Sequence, residues 1–221
     1  MAGVRRQIEA ASQQSPVTLV RPVTLVAVSK LQPVARLEAA LIAGQRVFGE
    51  NRVQETAAKW PRLRACYPDI ELHLIGPLQT NKVREAVALF DVIETVDRQR
   101  LAAVLADEIT RSGRPIRCFI QINTGEELQK AGVTPAKLPE LLAFCREVVK
   151  LSVTGLMCIP PLDEDPTLHF ALLADLARRH HLDELSMGMS GDFPLAIHFG
   201  ATHVRVGTAI FGSSVNPLDR V

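Results

Sequence analysis

A chain of 221 residues with 47% apolar and 22% charged side chains can bury one substantial core, and its length favours one domain over two. A formal charge of +1 gives no electrostatic reason to expect nucleic acid or an anionic membrane as a partner. No stretch reaches transmembrane length and the N-terminus lacks a continuous signal-peptide core, so cytoplasmic residence is expected.

In chain order, the first eleven or so residues pattern as a helix. The polar stretch Gln13-Gln14-Ser15-Pro16 follows, so residues 1–22 read as N-terminal helix and linker. Short apolar runs then alternate with longer helical patterns. The expected strands are Thr24–Ser29, Arg46–Gly49, Glu71–Gly76, Val92–Val96, Arg117–Asn123, Ser152–Ile159, Glu184–Gly188 and His203–Gly207. Between them the spacing predicts helices over Val34–Ala43, Asn51–Arg64, Asn81–Leu89, Arg98–Arg111, Lys137–Val149, Thr167–His180 and Phe193–His198. Strands joined by helical crossovers imply parallel packing with both sheet faces covered. The fold class is α/β. A single TIM-like (β/α)8 barrel spanning residues 1–221 accounts for the strand count better than an open doubly wound sheet, which stands as the alternative. Cys66, Cys118, Cys145 and Cys158 are scattered without CxxC or finger spacing and read as reduced, inert thiols.

Three strand ends carry chemistry. Lys30 closes the apolar run Val23-Thr24-Leu25-Val26-Ala27-Val28-Ser29, which places a primary amine at a barrel mouth, where it suits Schiff-base formation. The plain alternative is a lysine that simply meets solvent. Ser186-Met187-Gly188-Met189-Ser190-Gly191-Asp192 supplies backbone amides and hydroxyls ahead of a helix, a setting that suits phosphate; Ser190 offers its hydroxyl and Met189 mainly its backbone. Asp192 reads as a turn residue, since a carboxylate repels an anion. Gly207-Thr208-Ala209 offers a second cradle. Arg205 alternates with Val204 and Val206 and points either into the barrel, toward a ring nitrogen, or to a surface salt bridge. Asn51, after Gly49, either caps a helix or touches a ligand, and Glu50 and Glu55 read as first-turn acids. His73 reads as a hydrogen-bonded wall residue. Asn81 and Lys82 either touch an anionic substituent or only start a helix. The six histidines form no local metal-ligand motif. Together these features point to an anionic, carbonyl-bearing cofactor.

The segments Val26–Lys30, Phe48–Asn51, His73–Lys82, Gly155–Pro160, Leu185–Asp192 and Val204–Gly212 closely resemble the pyridoxal-phosphate homeostasis protein family, built like the N-terminal barrel domain of alanine racemase. The resemblance implies that Lys30 holds pyridoxal 5'-phosphate as an internal aldimine and that Arg205 faces the pyridine nitrogen. It also implies that Ser190, Gly207 and Thr208 hold the phosphate and that Asn51 lines the pocket; Met189 joins the expected cofactor-binding set. The implied role is intracellular vitamin B6 and amino-acid homeostasis without turnover, by a monomer or weak homodimer in transient contact with cofactor-requiring apo-enzymes. An amino-acid racemase is the alternative. Racemisation needs proton delivery on both faces of the substrate, and the only tyrosine, Tyr67, lies before the third strand. Leu31-Gln32-Pro33, Thr80 and Pro194 depart from the common family pattern.

Overall fold

The apolar runs become parallel strands: β1 (Thr24–Val28), β2 (Val47–Glu50), β3 (Glu71–Leu74), β4 (Val92–Val96), β5 (Arg117–Ile122), β6 (Val153–Cys158), β7 (Glu184–Ser186) and β8 (His203–Val206). In the computed structural model, which describes residues 1–18 and 21–212, β1 pairs with both β2 and β8 and closes the sheet into a barrel. The closing register sets Thr24 opposite His203 and Ala27 opposite Val206. Closure excludes the open doubly wound sheet. The expected domain runs to residue 221, and residues 213–221, like 19–20 in the linker, lie outside the described residues.

Helices α1 (Ala2–Gln13), α2 (Val34–Ile42), α3 (Val53–Cys66), α4 (Val83–Leu89), α5 (Gln99–Ser112), α6 (Leu138–Ala143), α7 (Pro166–Arg179), α8 (Phe193–His198) and α9 (Thr208–Phe211) surround the strands. Their apolar stripes supply the packing face. In α5, for example, Leu101, Ala102, Leu105 and Ala106 are buried, and Gly113 ends the helix at φ 67°. Helix α7 starts with Pro166 behind Asp165, whose carboxylate accepts from the Thr167 amide. The helix expected over Lys137–Val149 is broken into a 3-10 turn (Pro135–Lys137), α6 and a π turn (Phe144–Val148). Pro135 and Pro139 have no amide to donate, so this segment starts helical structure twice. Two short elements were not expected, the 3-10 turn Thr80–Lys82 and α9. The seventh strand stops at Ser186, short of Gly188, which turns the chain at φ 88°.

The core has two parts. Between strands and helices lies the main apolar layer, where Phe48 of β2 packs 4.8 Å from the buried Trp60 of α3. Inside the barrel, Val92, Phe119 and Met157 form a small separate apolar cluster. The rest of that interior carries Glu71, His73, Glu94, Ser186, His203 and Arg205, alternate residues of β3, β4, β7 and β8. Cys118, Cys145 and Cys158 are buried free thiols, and burial pushes Cys158 up to about 12 and Cys145 to about 11. Cys66 is free and exposed. Among the described residues no helix is long and apolar enough to cross a membrane.

Gly76, after β3, lets the backbone of Asn51 close in at the barrel mouth. A Cβ there would sit 2.3 Å from the Asn51 carbonyl oxygen. Gly76→Ala is therefore expected to destabilise the protein by about 1–3 kcal/mol, as overpacking does, because the obstacle is backbone. Gly3→Ala, with open space around it, serves as the control. Urea midpoints measure both, and an unchanged midpoint for Gly76→Ala would contradict the close approach.

Candidate functional site

The C-terminal ends of β1, β2, β3, β6, β7 and β8 surround a cleft of about 320 Å³. It is lined by all of Lys30, Asn51, Met189, Ser190, Arg205, Gly207 and Thr208, together with Val28, Ile75, Ile159 and Gly191. Lys30 is exposed, and among the described residues its amine enters no ion pair or hydrogen bond. Ser190 Oγ accepts from the Gly207 amide at 3.2 Å, which joins the two glycine-bearing turns into one cradle. Among the described residues the amides of Gly191 and Thr208 find no internal acceptor and remain free to bind an anion.

The Lys30 turn is tied down from the α3 side. Lys59 Nζ donates to the Ser29 carbonyl at 3.0 Å and lies 2.8 Å from both Glu50 Oε1 and Glu55 Oε1. Glu55 accepts from the Leu31 amide at 2.6 Å. Glu50, fully buried, also accepts from the Ser29 hydroxyl at 2.7 Å and from Trp60 Nε1 at 3.0 Å. Leu31 sits at φ 59°, a left-handed conformation that costs a residue with a Cβ roughly 1–2 kcal/mol and persists here because both neighbouring peptide groups are anchored. The peptide groups on either side of Lys30 are fixed while its amine is left free.

Arg205 is buried inside the barrel, which excludes the surface salt bridge. Its Nη1 donates to Ser186 Oγ at 2.7 Å and its Nη2 to the Cys158 carbonyl at 2.8 Å. Ser186 in turn donates its hydroxyl hydrogen bond to Glu94 Oε2 at 2.5 Å. Below Glu94, His73 stands between two carboxylates, with Nδ1 2.6 Å from Glu94 Oε1 and Nε2 2.7 Å from Glu71 Oε1. Two acceptors require a proton on both ring nitrogens, so His73 is an imidazolium. Arg117 then bridges Glu71 at 2.9 Å and Glu184 at 3.1 Å, and Arg21 reaches Glu184 from outside at 2.8 Å. A column of alternating charge thus runs from the cleft to the opposite end of the barrel.

Several expectations need correction. Asn51 does not cap α3: the N-cap is Arg52, with no side-chain cap bond, and Asn51 turns to the cleft. Glu50 is not a first-turn acid but the last residue of β2, spent beneath the Lys30 turn. The Met189 amide is taken by Asp192 Oδ1, so Met189 offers its half-exposed side chain to the cleft rather than a backbone donor. Asp192 is the turn residue expected. Lys82 pairs with Glu85 at 2.8 Å and lines a neighbouring groove rather than the cleft. Sequence reasoning passed over Glu94 and Lys59, and counted Ser186 with the phosphate-suited segment rather than beneath Arg205. The available signal was polar alternation in strands whose other faces are apolar, Glu71-Leu72-His73-Leu74 above all.

Residues 5–215 match the family model described as alanine racemase, N-terminal domain. A pyridoxal phosphate homeostasis protein of Vibrio alginolyticus is 44% identical over 201 residues, 86% of each chain. The chain belongs to the pyridoxal phosphate homeostasis protein family. Among solved structures, PipY of Synechococcus elongatus PCC7942 with PLP bound is similar at a TM-score of 0.78 and 40% identity, covering 94% of this chain and 99% of that one. Alanine racemase of Clostridium difficile 630 is similar in fold at a TM-score of 0.69 and 14% identity; the match covers 98% of this chain and 56% of the racemase.

The column makes stability depend on pH. Burial alone would lower His73, but its bonds to Glu71 and Glu94 raise it to about 9. What it contributes is complete below the ordinary value of 6.5 and is lost as pH rises through about 9. The His73 bond lowers Glu71 to about 2, and it lowers Glu94 to about 2 against the pull of burial. Their contributions hold above 4.5 and fade as pH falls through about 2. Burial and the charge of His73 lower His203 to about 4, so its contribution is lost as pH falls from 6.5 to that value. Melting temperature is therefore expected to peak near pH 6.5 and fall on both sides. A melting curve still rising between pH 7 and about 9 would contradict the imidazolium.

Proposed function

We propose that the protein binds pyridoxal 5'-phosphate in this cleft, anchors it through Lys30, and buffers or hands on the cofactor without catalytic turnover. One observation carries the reading: a free primary amine, a buried guanidinium and an anion-ready cradle face the same cleft. When bound, the cofactor supplies an aldehyde that condenses reversibly with a primary amine, with loss of water. Lys30 offers that amine on a turn whose backbone is fixed. Ser190, Gly207 and Thr208, with the free amide of Gly191, meet the phosphate with hydroxyl and N–H donors. Arg205 holds a permanent proton at the cleft floor, so it donates to a ring nitrogen and leaves that nitrogen unprotonated. Asn51 and Met189 would line the cofactor's site, and Val28, Ile75 and Ile159 would supply apolar contact. Curated relatives named for pyridoxal phosphate homeostasis, and PipY solved with PLP, support the cofactor's identity.

The lining argues against racemisation. Among the described residues no tyrosine, histidine or carboxylate lines the cleft to deliver a proton to the face opposite Lys30. Tyr67 lies at the C-terminal end of α3, beneath the Arg46 guanidinium at 5.2 Å, ahead of β3 rather than behind it. Release instead follows when the amine of an incoming molecule replaces Lys30. The natural recipient is a cofactor-requiring apo-enzyme met in transient contact.

Borohydride treatment of loaded protein followed by peptide mass spectrometry should place a phosphopyridoxyl group on Lys30. Lys30→Ala should lose it while keeping phosphate-dependent binding, weakened by about tenfold or more. Adducts spread over surface lysines with Lys30 unmodified would overturn the assignment. Steady production of the opposite enantiomer from an amino acid would overturn the non-catalytic reading.

A further inference from the structure

The guanidinium at the cleft floor has two ways to turn its five N–H groups, inward to the barrel or outward to a ligand. We propose that Glu94, acting through Ser186, is the positioning residue for Arg205: it decides which N–H groups are used inside the barrel and which face the cleft. The proposal rests on the cofactor reading above for its consequence, but its geometry belongs to the protein alone.

The direction of each bond follows from the donors available. Arg205 only donates, so Ser186 must accept at its oxygen and turn its single proton elsewhere. That proton goes to Glu94 Oε2, and the bond requires Glu94 to present an acceptor there. The other oxygen, Oε1, already accepts from His73 Nδ1. Glu94, Ser186 and His73 are all fully buried, so water offers no substitute partner. The chain Arg205 to Ser186 to Glu94 therefore runs one way only.

An isosteric change exposes this logic. In Glu94→Gln, His73 still demands an acceptor, so the amide oxygen faces His73 and the amide nitrogen faces Ser186. Ser186 then receives a donor from Gln, and its own proton loses the Glu94 acceptor that had fixed the hydroxyl. The hydroxyl that holds the guanidinium is freed to turn, with almost no change in volume. Ser186→Ala removes the same link from the other side and leaves Arg205 tied only to the Cys158 carbonyl.

Arginine side-chain ¹⁵N–¹H spectra of cofactor-free protein test the geometry directly. Wild type should show slowly exchanging, separate Nη signals for Arg205, and both variants should show them averaged. In loaded protein, the pH midpoint of the absorbance of the Lys30-linked chromophore should move by about 1 unit in both variants, the scale of a rearranged neighbouring charge. Borohydride labelling of Lys30 should persist in both. Separate Arg205 signals together with an unmoved midpoint in a folded variant would overturn the positioning role. If Glu94→Gln fails to fold, Ser186→Ala decides by the same readouts. If wild type itself shows no Lys30 label, the cofactor reading fails, and the Arg205 spectra alone judge this inference.

Discussion

An arginine cannot give up its proton, so a barrel that buries one must answer its charge along its whole interior. Arg205 sits at the floor of the cleft with almost no solvent contact. Leaving such a charge uncompensated would cost several kcal/mol, roughly the margin by which a domain is stable. The interior answers with Glu94, which is itself too buried to stand alone and calls for His73. His73, once charged, calls for Glu71, and Glu71 for Arg117. The sequence of demands reaches water from Glu71 and Arg117 onward, both half-buried, and ends where Glu184 meets the more exposed Arg21. The usual filling of a parallel barrel by layers of branched aliphatic residues accordingly gives way to this polar column beside a few apolar residues such as Val26, Val92, Phe119 and Met157.

The Lys30 side of the cleft is built on the opposite plan. Its polar cluster, Glu50 with Lys59 and Glu55, lies behind the turn and leaves the amine alone. Rigid backbone and a free side chain suit a group that must form and break a covalent bond reversibly. Lys59, the other amine nearby, is held by two carboxylates and a carbonyl, so the two lysines do not compete for one role. Glu50 leaves its second oxygen without a partner, a cost accepted next to the site rather than in it.

The split between what was legible in the sequence and what was not follows sequence separation. Strand positions came through because each is a local apolar run, and Lys30, Ser190, Arg205, Gly207 and Thr208 were legible because each ends or follows such a run. Helix interiors came through with them, except where Pro135 and Pro139 interrupt the pattern. The partner of Arg205 was not legible, because Ser186 and Glu94 lie 92 residues apart and meet only when the barrel closes. Asn51 stayed open between two roles for a related reason. Its type suits a helix cap as well as a ligand contact, and only the folded chain decides, with Arg52 at the N-cap and Asn51 in the cleft. Glu50 and Met189 were misjudged where a local rule, helix charge or a free backbone amide, was overridden by a tertiary partner.

The same barrel serves racemases, so the fold alone does not decide between carrying a cofactor and using it. The difference must reside in what faces Lys30. A lysine and an arginine suffice to hold an aldehyde and a pyridine ring, and this cleft has both. Proton traffic needs a second acid–base group poised across the ring. On the proposed reading, Lys30, the Arg205 guanidinium and the Ser190–Gly207 cradle orient the cofactor, and a carrier needs no more than that.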